Sequence, residues 1–166
     1  MASTYAKPEV LVTTEWLASH LNDPKVRIIE IDVDRDSYAQ GHIPGAVGWD
    51  WSRELGSPLQ RDIPSAAEFE ALVLRSGIAP DDTLILYGDN NNWFAAFGFW
   101  LLKIYGHADV RILDGGRKKW LAESRPLTQE VPAPAKTSYK TKGDLTKELR
   151  AFREDVLKDL GQGKTH

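Results

Sequence analysis

Polar loops follow three apolar segments of the chain, and they hold most of the side chains that could do chemistry. These loops cover Asp34–Gly45, Gly88–Asn92 and Asp114–Arg117. In a parallel α/β sheet, ligands bind beyond the carboxyl ends of the strands. We therefore expect any functional site to lie in these three loops.

No thiol chemistry is open to this chain, because it contains no cysteine. This absence excludes disulfides, zinc–thiolate sites, persulfide chemistry and every thiol nucleophile. Ser57, Ser65 and Ser76 lie in other segments, and none stands in a Gly-x-Ser-x-Gly elbow. A phosphate-binding glycine loop is also missing, so a hydrolase with an unrecognised site is the least favoured reading of the function.

Histidines and carboxylates are too scattered to predict a metal site or an acid/base pair. His42 stands beside Pro44 and Gly45 in a turn, which favours a structural role. The other histidines are widely separated: His20, His107 and His166. Acidic residues near strand ends favour helix capping or solvent contact over catalysis, and they are Asp32, Asp34, Asp36 and Asp50. We therefore expect neither a metal nor a cofactor.

A basic run, Arg117-Lys118-Lys119, begins a predicted helix. Positive charge is mildly unfavourable at a helix N-terminus, so contact with an anion or a carboxylate is one interpretation. A solvated helix face is the favoured one.

Composition excludes several partners. The 166 residues carry 21 Lys+Arg against 24 Asp+Glu, a net charge of −3, and so form no basic footprint for nucleic acid. The longest apolar run, Phe94–Leu102, is about half of the roughly 20 residues that cross a bilayer, so we expect no membrane partner. The first residues show no secretion signal, and a cytoplasmic location is expected.

Strands and helices alternate along the first 123 residues. Apolar, β-branched runs predict strands at Val26–Val33, Ala46–Trp51, Thr83–Tyr87 and Val110–Leu113. Helical spacing predicts helices at Trp16–Leu21, after the capping box Ser65–Glu68, at Trp93–Tyr105 and at Arg117–Glu123. This alternation predicts an α/β fold with a mainly parallel sheet and helices on both faces.

A Pro/Ala stretch, Val131–Ala135, divides the chain into a predicted domain at 1–130 and a tail at 131–166. The tail segment Lys147–Leu160 is amphipathic and predicts one connector helix. Its apolar stripe consists of Leu149, Phe152, Val156, Leu157 and Leu160. If this stripe projects outward, a partner is missing; if it packs inward, the domain is self-sufficient.

Three segments together resemble the rhodanese (thiosulfate sulfurtransferase) family: Tyr38–Ala46, which contains Gly-His-Ile-Pro-Gly-Ala, Leu84–Leu101, and Asp114–Trp120. The resemblance covers about Val10 to Leu127. It implies a rhodanese-like fold with about five strands. It also implies structural roles for the motif residues, which are Gly41, His42, Pro44, Gly45, Gly115, Gly116 and Trp120.

In the family, a cysteine at the end of the central strand takes sulfur from thiosulfate and passes it to an acceptor such as cyanide. Successive backbone amides and the following helix stabilise its thiolate and persulfide. Here Gly88 follows Tyr87 at that place. The resemblance therefore implies a degenerate active-site loop, in which Asp89 is expected to cap the helix. Its residues are Gly88, Asp89, Asn90, Asn91, Asn92 and Trp93.

Tandem sulfurtransferases resemble a duplicated fold whose first domain is inactive. The chain resembles such a first domain, and the resemblance implies a catalytic rhodanese domain as its partner, in cis or in trans. Trp49 and Trp51 are candidate interface residues, because they alternate along one strand end. The alternative is a stand-alone, catalytically inactive binding or regulatory module.

Overall fold

Five parallel strands form one sheet in the order β1-β5-β4-β2-β3. The structure is a computed structural model that describes residues 5–33, 35–56, 62–142 and 146–160. The strands are β1 (Leu11–Val12), β2 (Val26–Asp32), β3 (Ala46–Asp50), β4 (Thr83–Tyr87) and β5 (Val110–Leu113). Four of them match the sequence prediction to within one residue. The two-residue β1 was not predicted, because it is too short to show a period.

Helices connect the strands on both faces of the sheet, as predicted. They are α1 (Thr14–Ser19), α2 (Asp36–Gln40), α3 (Trp51–Glu54), α4 (Ala66–Arg75), α5 (Asp89–Ile104) and α6 (Gly116–Ala122). The capping box before α4 is present, with Ser65 and Glu68 each accepting from the other's backbone N–H. Of the residues singled out in the sequence, Asp34, Ser57 and His166 lie outside the described residues.

The central strand β4 shows why the sheet is covered on both sides. Leu84 and Leu86 belong to one buried cluster, together with α4 and α5 residues such as Phe69 and Leu101. Ile85 and Tyr87 belong to a second cluster, which contains Leu17, Ile43 and Trp120. Successive strand residues point to opposite faces, so a strand that is buried on both faces must be apolar throughout.

The tail differs from the single helix that was predicted at Lys147–Leu160. Two short helices are present, α7 (Thr146–Leu149) and α8 (Arg153–Leu160). The Phe152 N–H donates to Asp155 Oδ2 at 2.9 Å, so the Asp155 side chain stabilises the start of α8 as a separate helix. Every residue of the apolar stripe is exposed, from 40% at Leu149 to 61% at Leu160.

Residues 136–142, which follow the Pro/Ala stretch, pack against α4 and the end of α5. Tyr139 is buried and contacts both Phe69 and His107. The Lys142 N–H donates to the Tyr105 carbonyl at 3.1 Å. The chain therefore packs against the fold as far as residue 142.

Candidate functional site

The loop after β4 begins with Gly88 in an extended conformation and continues into three left-handed residues. Asn90, Asn91 and Asn92 have φ values of 51°, 54° and 64°. Such φ values are uncommon outside glycine, and asparagine is one of the residues that tolerates them best. Regular helix begins only at Trp93, so α5 is kinked across this Asn turn.

Hydrogen bonds inside the fold occupy the amides at the start of this loop. The Gly88 N–H donates to Asn92 Oδ1 at 3.1 Å, and the Asp89 N–H donates to Asp32 Oδ1 at 2.6 Å. Asn92 Nδ2 donates in turn to the carbonyl of Leu113 at 2.8 Å, which ties the loop to β5. Neither of these two amides is left for an incoming anion.

The Asp89 carboxylate does not cap the helix, in contrast to the expectation from the sequence. Its Oδ2 accepts from the Ser37 hydroxyl, and its Oδ1 lies 3.6 Å from Arg117 Nε. The residue that precedes α5 is Gly88, which has no side chain to cap with. Asp89 thus contacts one residue of α2 and one residue of α6.

Arg117 is buried, so the predicted solvated face is wrong for this residue. Its Nη1 lies 2.6 Å from Glu30 Oε1, and its Nη2 donates to the carbonyls of Ser37 and Gly41 at 3.1 and 2.5 Å. Lys118 is exposed, and Lys119 pairs with Asp114 at 3.0 Å. Only the first residue of the basic run turns inward, where it joins α6 to β2 and α2.

Glu30 lies at the centre of this network with 1% of its surface exposed. It accepts from the Tyr87 hydroxyl as well as from Arg117. Burial raises the pKa of Glu30 to about 8, against the lowering effects of Tyr87 and Arg117. Glu30 was not predicted as a site residue, because a single acidic residue within an apolar strand usually indicates a position that faces solvent.

Asp32 is the second buried carboxylate behind the loop. Its Oδ1 holds the Asp89 N–H, while its Oδ2 is buried and has no hydrogen-bond partner among the described residues. Burial raises the pKa of Asp32. The two acids Glu30 and Asp32, both in β2, thus lie behind the loop instead of lining an open site.

A side chain cannot be placed at Gly88 without moving the backbone. A Cβ built there would lie 2.1 Å from the Ile31 carbonyl oxygen and 2.8 Å from Asp32 Oδ1. Unstrained Cβ atoms essentially never approach another atom within 3.0 Å. The position that resembles the family's cysteine position is therefore closed against β2.

A pocket of about 430 Å³ remains in front of the loop. Its lining residues are Gly88, Asp89, Asn90, Asn91, Gly115, Arg117, Lys118 and Leu121. None of these side chains is a nucleophile of the thiol or hydroxyl class. The pocket can hold a small polar molecule, but its described residues provide no atom for covalent sulfur transfer.

The family model described as Rhodanese-like domain matches residues 13–123. The chain belongs to this family. It is 50% identical over 156 residues to the sulfur carrier protein TtuD of Thermus thermophilus, covering 94% of this chain and 54% of TtuD. It is 48% identical over 156 residues to a "Putative thiosulfate sulfurtransferase" of Mycolicibacterium smegmatis, covering 94% of this chain and 56% of that protein.

A solved structure shares the rhodanese fold. The crystal structure of SseA from Escherichia coli, a 3-mercaptopyruvate sulfotransferase, superposes with a TM-score of 0.81 at 27% identity. The match covers 93% of this chain and 62% of SseA. The chain spans about half the length of the relatives it matches.

Two of the rhodanese motif residues, His42 and Trp120, are buried and hydrogen-bonded within the fold. His42 is buried, stacks on Tyr38 with ring centroids 3.8 Å apart, and bonds the carbonyls of Tyr38 and Glu130 through its two ring nitrogens. Trp120 is fully buried, and its Nε1 donates to the Pro126 carbonyl at 2.9 Å. His20 and His107 lie elsewhere, directly after α1 and after α5.

Of the two tryptophans predicted at an interface, Trp49 lies in the core, so the prediction is wrong for this residue. It is 1% exposed in the core, and its Nε1 donates to Ser76 Oγ at 2.8 Å, so it presents no surface. Trp51 is 36% exposed and contacts Phe94 and Phe97 on α5. The predicted strand ran through both tryptophans, whereas the chain leaves β3 at Asp50, whose side chain caps α3.

Within residues 5–33, 35–56, 62–142 and 146–160, no three His, Asp or Glu side chains are arranged to hold a metal. No described helix is long and apolar enough to cross a bilayer.

Proposed function

We propose that this chain is the cysteine-less first rhodanese domain of a thiosulfate sulfurtransferase, and that it packs against a catalytic rhodanese domain. The observation that carries the proposal is Gly88, which stands where the family resemblance places the nucleophile. The chain has no cysteine elsewhere to replace it.

The geometry of the loop supports an inactive role for this domain. A thiolate at this place would need free amides in front of it and space for its Cβ. The Gly88 and Asp89 amides are bonded to Asn92 and Asp32, and the Cβ position collides with the Ile31 carbonyl. Arg117 lines the pocket, but its guanidinium group is already engaged by Glu30 and by two backbone carbonyls.

The relatives support the wider assignment. The matched region covers 94% of this chain but only 54 to 56% of the Thermus and Mycolicibacterium proteins. Such proteins therefore have room for a second domain of similar size. The Mycolicibacterium protein is named for thiosulfate sulfur transfer. In the proposed parent enzyme, the catalytic domain's cysteine takes the outer sulfur of thiosulfate, releases sulfite, and passes the sulfur to cyanide or a thiol.

The first test is activity of the purified chain in a thiosulfate-to-cyanide assay. We expect no thiocyanate above the uncatalysed rate. Thiocyanate produced in proportion to the amount of chain would overturn the assignment of Gly88 as an empty nucleophile position.

The second test is association. The chain is mixed with the half of Thermus thermophilus TtuD that it does not match, expressed as a separate polypeptide, and binding is followed by calorimetry and sedimentation. We expect a one-to-one complex. No association at high micromolar concentration would refute the packing role and would favour a stand-alone module.

A further inference from the structure

Aromatic rings form a continuous row along one side of α5. Trp93 lies beside Phe94 with ring centroids 6.4 Å apart, and Trp51 contacts Phe94 at 5.1 Å and Phe97 at 6.1 Å. Phe97 contacts Trp100 at 5.4 Å. We call Trp51, Trp93, Phe94, Phe97 and Trp100 the aromatic row. It begins beside the Asn turn and ends near α7.

Much of the aromatic row is open to solvent. Trp93 is 74% exposed, the largest exposure of any large apolar side chain described in the structure, and Trp51 is 36% exposed. The other three members are partly buried against the core. Tryptophan is enriched at the centres of protein interfaces, where one such ring can supply much of the binding energy.

The exposed surface continues from the aromatic row into the tail. Trp100 Nε1 donates to the Leu149 carbonyl at 2.7 Å, which joins the Trp100 end of the aromatic row to α7. The exposed apolar stripe of the tail follows directly, at Leu149, Phe152, Val156, Leu157 and Leu160. Contiguous exposed apolar surface of this kind marks an interaction site.

We propose that the aromatic row, together with the apolar stripe of the tail, is the face on which the catalytic rhodanese domain docks. This rests on the function proposed above. The occupant is argued from the relatives, in which a region about as long as this chain lies outside the match. A standard interface buries about 800 Å² on each partner. An aromatic side chain buries about 150–250 Å² when it is fully covered. The exposed 74% of Trp93 and 36% of Trp51 are the parts of the row that a partner would cover.

Docking on this face places the partner domain across the loop pocket. Trp93 directly follows Asn92, and Asn90 and Asn91 of the same turn line the pocket. The left-handed turn therefore has a second consequence, because it presents Trp93 outward at the edge of the row. The partner is expected to contact Trp93 and the exposed sides of Asn90 and Asn91.

The test combines Trp93→Ser with Trp51→Ser and measures binding to the unmatched half of Thermus thermophilus TtuD by calorimetry. Trp93 is 74% exposed, and Trp51 lies at the surface against Phe94 and Phe97, so the double variant is expected to keep the fold of the wild type, which circular dichroism checks. We expect the Kd to rise at least tenfold. The matched control is Val131→Ser, at a residue that is 69% exposed and lies outside the row, and it should leave the Kd unchanged.

Three outcomes separate this proposal from the one on which it rests. Wild-type affinity in the double variant would refute the aromatic row while leaving the two-domain function intact. Absence of any complex with wild-type chain would refute the two-domain function itself. Wild-type self-association that is lost in the double variant, with partner binding unchanged, would assign the face to a second copy of this chain and overturn the proposal.

Discussion

Glu30 makes the stability of this domain depend on pH in an unusual direction. Its pKa in the folded state is about 8, against an ordinary value of 4.5 for glutamate. Between these two pH values the folded chain holds a proton that the unfolded chain releases. The free energy of unfolding that Glu30 contributes is therefore fully present below pH 4.5 and is lost as the pH rises toward 8.

The size of the effect follows from the shift. One pKa unit corresponds to about 1.4 kcal/mol, so the free energy of unfolding falls by up to that amount per pH unit across the window. The loss over the whole window is at most about 5 kcal/mol. The main cause is desolvation, because burial disfavours the carboxylate form of Glu30. Tyr87 and Arg117 lower the pKa, and the second acid, Asp32, raises it.

Glu30→Gln isolates this contribution. Glutamine is neutral at every pH, resembles the protonated acid in shape, and can still accept from Arg117 through its carbonyl oxygen. It loses the acceptor of the Tyr87 hydroxyl, which we expect to cost about 1 kcal/mol at all pH values. Other titrating groups, such as His107 with its pKa lowered by burial, act in both proteins and cancel in the difference.

The assay is urea unfolding at pH 5, 6, 7 and 8, followed by circular dichroism for wild type and variant. The free energy of unfolding of the wild type minus that of the variant should fall steadily from pH 5 to pH 8, by several kcal/mol in total (~4 kcal/mol at most). Parallel profiles would show that Glu30 titrates normally in the folded chain. A difference that grows with pH would show that Arg117 dominates and holds Glu30 as a carboxylate.

Three smaller predictions concern the loop and α4. Gly88→Cys forces a Cβ to within 2.1 Å of the Ile31 carbonyl, so we expect thermal unfolding to show a loss of about 1–3 kcal/mol and the thiocyanate assay to show no activity; wild-type stability would contradict the close contact. Asn91 is exposed and has a φ of 54°. Asn91→Val should therefore lower the free energy of unfolding in urea by about 1–3 kcal/mol, while Asn91→Gly should stay within about 1 kcal/mol of the wild type. Equal effects of the two substitutions would argue against the left-handed turn. Ser65→Ala removes the capping partner of Glu68 and should lower the free energy of unfolding by about 1 kcal/mol, whereas an unchanged melting temperature would show that the capping box is not needed.

The fold was predictable where one local pattern decided the structure. The run Thr83–Tyr87 and the acidic and glycine residues around it located β4 with both its ends, and Ser65 with Glu68 located the start of α4. These features depend on neighbours a few residues away. The prediction of a single tail helix was wrong because the Asp155 side chain accepts a hydrogen bond from the Phe152 amide, and hydrophobic periodicity does not reveal such a bond.

The candidate site was predictable in place but not in detail. The sequence located the loop at Gly88–Asn92, since turn residues follow a buried strand. The partners of Asp89 and Arg117 are 52 and 87 residues away in the chain, at Ser37 and Glu30. Contacts over such separations depend on the sheet order, and no local pattern predicts which of three adjacent basic residues turns inward.

Residues 136–142, which follow the Pro/Ala stretch, determine how far a fragment of this domain must extend. Removing residues after 130 would take away the Tyr139 ring from Phe69 and His107, and would release the Lys142 amide from the Tyr105 carbonyl. Gly106 also meets Lys142 closely, since a Cβ there would lie 2.4 Å from its carbonyl oxygen. A fragment that ends at residue 142 keeps these contacts, so fusion junctions and protease sites introduced beyond it leave the core closed.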